Sequence, residues 1–133
     1  MRAKDILAGT VASFVILAPF WFFASSTGRV FTLIPANALL YQVAAIAFPE
    51  EVYFRGFLQE SLGNDLRALL IISLLFALMH VPQFIFYRDP YALLTFFPSL
   101  VMGFLYLRTS NVLPSAIFHF LSNTVFLGFY DIL

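Results

Sequence analysis

The chain of 133 residues contains no cysteine and few charged residues. The missing cysteine excludes disulfides, thiolate catalysis and metal sites with cysteine ligands. Only 11% of residues are charged, and seven basic residues balance seven acidic ones, so no basic excess favours a nucleic-acid partner. In contrast, 62% of residues are hydrophobic and 18 are phenylalanine. Because a soluble protein of this length could not bury so much apolar surface, we predict an integral membrane protein whose main partner is lipid.

Long apolar stretches recur along the chain, and a membrane-spanning helix needs about 20 such residues. Five stretches reach or approach that length: 6–24, 30–48, 66–81, 91–107 and 112–130. In the second, the helical pattern continues to about Leu62. The sequence therefore predicts an all-α, polytopic membrane helix bundle with about five transmembrane helices, forming a single domain over residues 1–133. The loops are short, which favours antiparallel packing of consecutive helices. Residues suited to helix ends stand between the stretches: Gly28, Gly63, Asp65, Asp89 and Asn111.

Basic residues in the loops predict the orientation of the bundle in the membrane. Arg2, Lys4, Arg67 and Arg108 fall on one side, whereas the other side has only Arg29 and Arg88. We therefore expect a cytoplasmic N-terminus. By analogy, the small size and short loops favour a plasma (inner) membrane protein of prokaryotic type. The first 26 residues also resemble a signal peptide, but their apolar run is long for one, which favours a retained helix.

The first polar cluster within an apolar stretch contains Glu50, Glu51 and Arg55. Ionisable residues at membrane depth cost about 2.5–3.5 kcal/mol each on insertion scales and are functional candidates for that reason. Glu51 and Arg55 are four residues apart, so they share a helix face and can pair. Glu50 points about 100° away and has no basic partner on its own helix, which suits a general acid or base. Pro49 is expected to kink the helix beside this pair.

Two further polar clusters contain His80 and, four residues apart on one helix face, His119 with Asn123. Measured from the same side of the membrane, Glu50 lies at a depth of about 18 Å and His80 at about 22 Å, so these two can meet. His119 lies at only about 10–12 Å. Either the last helix begins deep in the membrane or the site is elongated, and the sequence does not decide between the two.

Three motifs occur in order: Glu50-Glu51-Val-Tyr-Phe-Arg55, Phe76-Ala-Leu-Met-His80 and His119-Phe-Leu-Ser-Asn123. Together they resemble the CPBP family, also called Abi, of CAAX-processing and bacteriocin-processing intramembrane proteases, which includes the Ras-converting enzyme. The resemblance covers roughly residues 30–130. Each motif alone has an ordinary structural explanation, such as a buried ion pair or an interhelical hydrogen bond. The joint occurrence of all three favours the family.

The resemblance implies a glutamic-type endopeptidase that cleaves a C-terminal tail, a sorting signal or a leader peptide. Glu50 and His80 would activate water, His119 and Asn123 would form the oxyanion hole, and Glu51 and Arg55 would support them. No cofactor is expected. A zinc ion held by Glu50, His80 and His119 is the alternative, although no His-Glu-x-x-His motif is present. The chain is short for the family, so a homo-oligomer is compatible with it.

Two other functions fit the same residues. A non-catalytic bacteriocin-immunity or peptide-binding protein would use the cavity without hydrolysis. A small transporter would use the carboxylates for protons or cations, but no inverted repeat supports it. The sequence identifies neither the substrate nor its prenylation, nor the oligomeric state, nor the face to which the cavity opens.

Overall fold

The computed structural model describes residues 3–130, which are predominantly helical and contain no β-strand. We label the helices in chain order: α1 (Ala3–Ser26), α2 (residues 36–59), α3 (Leu66–Met79), α4 (Val81–Phe86), α5 (Phe96–Thr109, preceded by a 3₁₀ turn at Ala92–Thr95) and α6 (Val112–Tyr130). Within these residues, four stretches are long and apolar enough to cross a membrane: Ala3–Ser26, Leu66–Phe86, Ala92–Thr109 and Val112–Tyr130. The predicted all-α polytopic bundle is confirmed.

The second predicted stretch differs most from expectation. It is helical, but it is not among the four continuous candidate spans, and it begins at Ala36 instead of near Val30. Pro35 explains the late start, because a proline disfavours helical backbone at the residue before it. Pro35 itself has an extended backbone (φ −59°, ψ 147°).

Helix α2 alternates between two hydrogen-bonding patterns. Two α-helical parts, Ala36–Tyr41 and Phe48–Glu51, alternate with two π-helical parts, Gln42–Ala47 and Val52–Gln59. Pro49 stands between the π-helical parts, lacks an N–H and would clash with the carbonyl four residues earlier. Just before it, the Phe48 N–H donates to the carbonyl of Val43, five residues back. The irregularity expected at Pro49 is therefore a shift in helical register around the glutamate pair.

Most of the predicted helix ends are confirmed. The Asp65 carboxylate accepts the N–H of Ala68 at 2.8 Å and caps α3. Asn111 accepts the N–H of Leu113 at 3.1 Å, and Gly28 and Gly63 have positive φ of 82° and 110°. Asp89 instead stabilises a turn before the 3₁₀ segment, accepting the Tyr91 N–H at 2.9 Å.

Helix α6 packs against α1, α2 and α5, and α3 packs against α5 and α2. The expectation that consecutive helices pack together is wrong for α1, whose main neighbour is α6. A β-carbon on Gly9 of α1 would lie 2.6 Å from the carbonyl oxygen of Pro114, so the missing side chain permits this contact. Between α2, α3, α5 and α6 lies the apolar core of Phe54, Ile72, Phe76, Met102, Leu105 and Phe118.

Candidate active site

Glu51 lies at the centre of a buried polar cluster. Its side chain has no solvent exposure, and its Oε1 accepts two hydrogen bonds, one from Arg55 Nη1 at 3.0 Å and one from His119 Nδ1 at 3.0 Å. The first bond is the four-residue pair that the sequence predicts. The second joins α2 to α6, so one carboxylate oxygen connects two of the three motifs.

Arg55 is also completely buried and fastens α2 to α5. Its Nη2 donates to the Ser99 hydroxyl at 2.6 Å and lies 3.2 Å from the Ser99 carbonyl oxygen. The guanidinium carbon lies 4.8 Å from the centre of the Phe76 ring, within the range of a cation–π contact. The positive charge is therefore neutralised by Glu51 and held by three separate helices.

Glu50 differs from its neighbour in both exposure and contacts. Its side chain is 26% exposed, and its Oε2 lies 3.9 Å from Nε2 of His119, which is longer than a hydrogen bond. Both His119 and His80 lie close enough to Glu50 to interact with it electrostatically. The two adjacent glutamates thus have separate environments. Glu51 is enclosed and paired, whereas Glu50 is partly exposed and its Oε2, beside an imidazole, is buried without a hydrogen-bond partner among the described residues.

His80 lies at a break between helices. It ends α3 and begins α4, with φ −89° and ψ 0°, a region of backbone space in which many active-site residues occur. Its Nδ1 lies 2.8 Å from the carbonyl oxygen of Phe76. The Phe76 ring contacts both imidazoles, with centroid distances of 4.8 Å to His80 and 5.6 Å to His119.

Asn123 lies one turn beyond His119 on α6. Its Nδ2 donates to Oε1 of Gln42 on α2 at 3.1 Å. The last helix begins at Val112, as predicted. Despite the shallower depth calculated for His119, this residue contacts Glu51, so the motifs meet in the structure. Glu50, Glu51, His119 and Asn123 therefore line the contact between α2 and α6. Arg55 joins this group through Glu51, and His80 adjoins it through Phe76.

The hydrogen bonds indicate which ring nitrogen of each histidine carries a proton. A carbonyl oxygen only accepts, so Nδ1 of His80 carries the proton and its Nε2 is an acceptor in the neutral ring. An ionised Glu51, paired with Arg55, also only accepts, so Nδ1 of His119 is protonated. His119 can then donate from Nε2 only as an imidazolium. This matters for chemistry, because the 3.9 Å contact places a carboxylate beside that nitrogen.

The residues of the zinc alternative do not fit a bound metal ion. Within residues 3–130, no group of three histidine, aspartate or glutamate side chains is arranged to hold one. Activity without a cofactor stays a prediction.

Three further polar residues support the site. Ser99 holds Arg55, and Gln42 holds Asn123. Gln59, fully buried, donates to the carbonyl of Gly103 at 3.0 Å and extends the attachment of α2 to α5 by one turn. Glu51, Arg55 and Gln59 are spaced four residues apart, so they share one face of the helix. This spacing could have identified Gln59 from the sequence. Gln42, a polar residue in an apolar stretch, is of the kind expected to make an interhelical hydrogen bond, and it makes one to Asn123. Ser99 had no comparable signal.

Comparison with known proteins agrees with the motifs. The family model described as Type II CAAX prenyl endopeptidase Rce1-like matches residues 32–125, which include all six predicted site residues. The chain is also 36% identical over 74 residues to the UPF0177 protein YxdF of Lactococcus lactis subsp. lactis (strain IL1403). That match covers 56% of this chain and 39% of the relative, so the chain spans well under two thirds of the relative's length. No solved structure matches the chain.

Proposed function

Because the chain belongs to the Rce1-like family of Type II CAAX prenyl endopeptidases, we propose that it is an intramembrane endopeptidase that uses Glu50, His80, His119 and Asn123. In this proposal it hydrolyses a peptide bond near the membrane, in a C-terminal tail, a sorting signal or a leader peptide. We also propose that the protein lies in a prokaryotic plasma membrane with its N-terminus in the cytoplasm, consistent with the loop charges.

The observation that carries the proposal is the division between the two adjacent glutamates. Glu51 is enclosed, and one of its oxygens already accepts bonds from Arg55 and His119. Glu50 is 26% exposed and makes no contact of that length to either group. A general base must reach both water and substrate. Of the two carboxylates, Glu50 is the partly exposed one, and its Oε2 is buried beside His119 without a hydrogen-bond partner among the described residues, so it can accept one from a water molecule. Glu51 is suited to holding the site in shape.

The reaction begins when Glu50 accepts a proton from a water molecule and the water oxygen attacks the carbonyl carbon of the scissile bond. The carbonyl π electrons move to its oxygen, which becomes an oxyanion. Protonated Glu50 then gives its proton to the leaving nitrogen as the carbon–nitrogen bond breaks. The products are a carboxylic acid and an amine, and the carboxylate of Glu50 is regenerated.

The charges of the site suit this sequence. In the proposed mechanism Arg55 neutralises Glu51, and a protonated His119, 3.9 Å away, would balance the ionised Glu50. When Glu50 takes the proton, negative charge moves from its carboxylate to the oxyanion and remains beside the same imidazolium. A donor fixed before the reaction stabilises such charge without reorganisation. One proton on His119 thus supports both the base and the oxyanion hole.

His80 and Asn123 complete the proposed machinery. Because Nδ1 of His80 is bonded to Phe76, its Nε2 is left to accept a hydrogen bond from the attacking water. The Asn123 amide nitrogen has two hydrogens and gives one to Gln42, which leaves the second for the oxyanion. The two donors of the hole, His119 and Asn123, are one helical turn apart on α6.

The proposal is tested by comparing new peptide termini in membranes of cells that make the wild type or Glu50→Gln, using terminus-selective mass spectrometry. Glu60→Gln is the matched control, since Glu60 is an exposed carboxylate on the same segment and a glutamine oxygen can still accept its hydrogen bond from Tyr106. We expect a set of termini produced by the wild type and Glu60→Gln but missing with Glu50→Gln. The positions of these termini would identify the substrate and place the cut relative to the membrane.

The opposite result is equally informative. If the wild type and Glu50→Gln insert at equal levels and produce identical termini, the endopeptidase proposal is wrong. A binding or bacteriocin-immunity role, in which the site recognises a peptide without cleaving it, would then replace it.

A further inference from the structure

Gln42 is hydrogen-bonded to Asn123, one of the two proposed donors to the oxyanion. The reaction proposed above gives Gln42 no part. Its Oε1 accepts from Nδ2 of Asn123 at 3.1 Å, and both side chains are partly buried. Gln42 is the first residue of the π-helical part Gln42–Ala47, just before the glutamate pair.

The helical geometry makes this contact unexpected. Gln42 and Glu51 are nine residues apart, which is about two and a half turns of an α-helix, so regular α-helical spacing would put them on opposite faces. Nevertheless both bond to one stripe of α6, where His119 and Asn123 are four residues apart. In the π-helical part between them, each hydrogen bond spans one residue more than in an α-helix. The extra residue in each turn brings Gln42 to the same face of α2 as Glu51.

We propose that Gln42 is a positioning residue that fixes the amide of Asn123 with its nitrogen available to the oxyanion, an inference that rests on the function proposed above. The two ends of an asparagine amide have nearly the same shape but opposite hydrogen-bonding character. An acceptor held at the nitrogen end selects one orientation. Without it, the amide turns over and presents its oxygen, which repels an oxyanion.

This role differs from simple attachment of one helix to another. Arg55 and Gln59 already fasten α2 to α5, and Glu51 fastens it to α6 through His119. The bond from Gln42 reaches the side chain of a proposed catalytic residue and not a backbone carbonyl. Its loss should therefore affect the chemical step more than substrate binding.

The experiment uses the full-length protein in detergent and a synthetic peptide spanning the cleavage site mapped with the wild type. Rates are compared for the wild type, Gln42→Met, Asn123→Ala and the double variant, with Asn37→Ala as control. Methionine keeps the length of the side chain and removes the strong acceptor. Asn37 is an exposed amide on the same helix. Should Gln42→Met fail to accumulate, Gln42→Asn, one methylene too short, takes its place.

We expect kcat of Gln42→Met to fall by about tenfold to a hundredfold with KM nearly unchanged, since losing one oxyanion donor typically costs at least that much. In the Asn123→Ala background the same change should have little further effect, because residues that act together are not additive. The inference is overturned if Gln42→Met keeps wild-type kcat, or if kcat falls equally in both backgrounds. Absence of cleavage by the wild type would instead refute the proposed function.

Discussion

Replacing Arg55 by methionine tests the buried cluster directly. The substitution keeps a long apolar stem but leaves the carboxylate of Glu51 in a fully buried position without its cation. Removing one partner of a buried ion pair typically costs about 3–5 kcal/mol. Because His119 still donates to Glu51 at 3.0 Å, we expect a loss near the lower end, about 3 kcal/mol.

The free energy of unfolding can be followed by titrating the purified protein with sodium dodecyl sulfate in mixed micelles. Arg108→Met is the matched control, because Arg108 is exposed at the end of α5, and it should change the free energy by less than about 0.5 kcal/mol.

A second variant shows where the loss comes from. In Glu51→Leu with Arg55→Met, both charges are removed, and apolar side chains of similar volume often replace a buried pair without loss. We therefore expect the double variant to be more stable than Arg55→Met alone. If Arg55→Met costs less than about 1 kcal/mol, or if the double variant is the less stable of the two, the carboxylate is not left uncompensated and the argument from burial is wrong.

Two other contacts give predictions for the same unfolding assay. Ser99→Ala removes the 2.6 Å hydroxyl contact to Arg55 and should lower the free energy of unfolding by about 1.5–3 kcal/mol, the usual value for a hydrogen bond to a charged group. The control Ser61→Ala, at an exposed position, should leave it almost unchanged. Equal losses in the two variants would contradict this prediction. Gly9→Ala introduces a β-carbon 2.6 Å from the Pro114 carbonyl oxygen and should destabilise the protein by about 1–3 kcal/mol through separation of α1 from α6. Unchanged stability would show that α1 is not packed closely there.

The site residues found from sequence are those linked by spacing within one helix or by the resemblance to the family. The pair of Glu51 and Arg55 follows from a separation of four residues, and that bond is confirmed. The shared face of His119 and Asn123 follows from the same spacing. Helix ends at Gly63 and Asp65 were also predictable, because the chemistry of a cap depends on residues close in the chain.

The partners of those residues depended on how helices pack, which spacing within one helix does not encode. Calculated depths placed His119 several ångströms away from Glu50, yet packing of α6 against α2 brings it to Glu51. Ser99 could not be identified as the partner of Arg55, since a buried serine in an apolar helix more often bonds to its own backbone.

By itself the sequence determined the membrane environment, the helical class and the three motifs, because apolar composition and residue spacing fix these locally. Only the tertiary structure decided which of two adjacent glutamates is enclosed and which is open. It also decided that α2 changes register at Gln42–Ala47, which aligns Gln42 with Asn123. The physical reason is that burial and interhelical hydrogen bonds depend on which faces of two helices pack together. A shift of register within one helix changes which of its residues lie on the packed face.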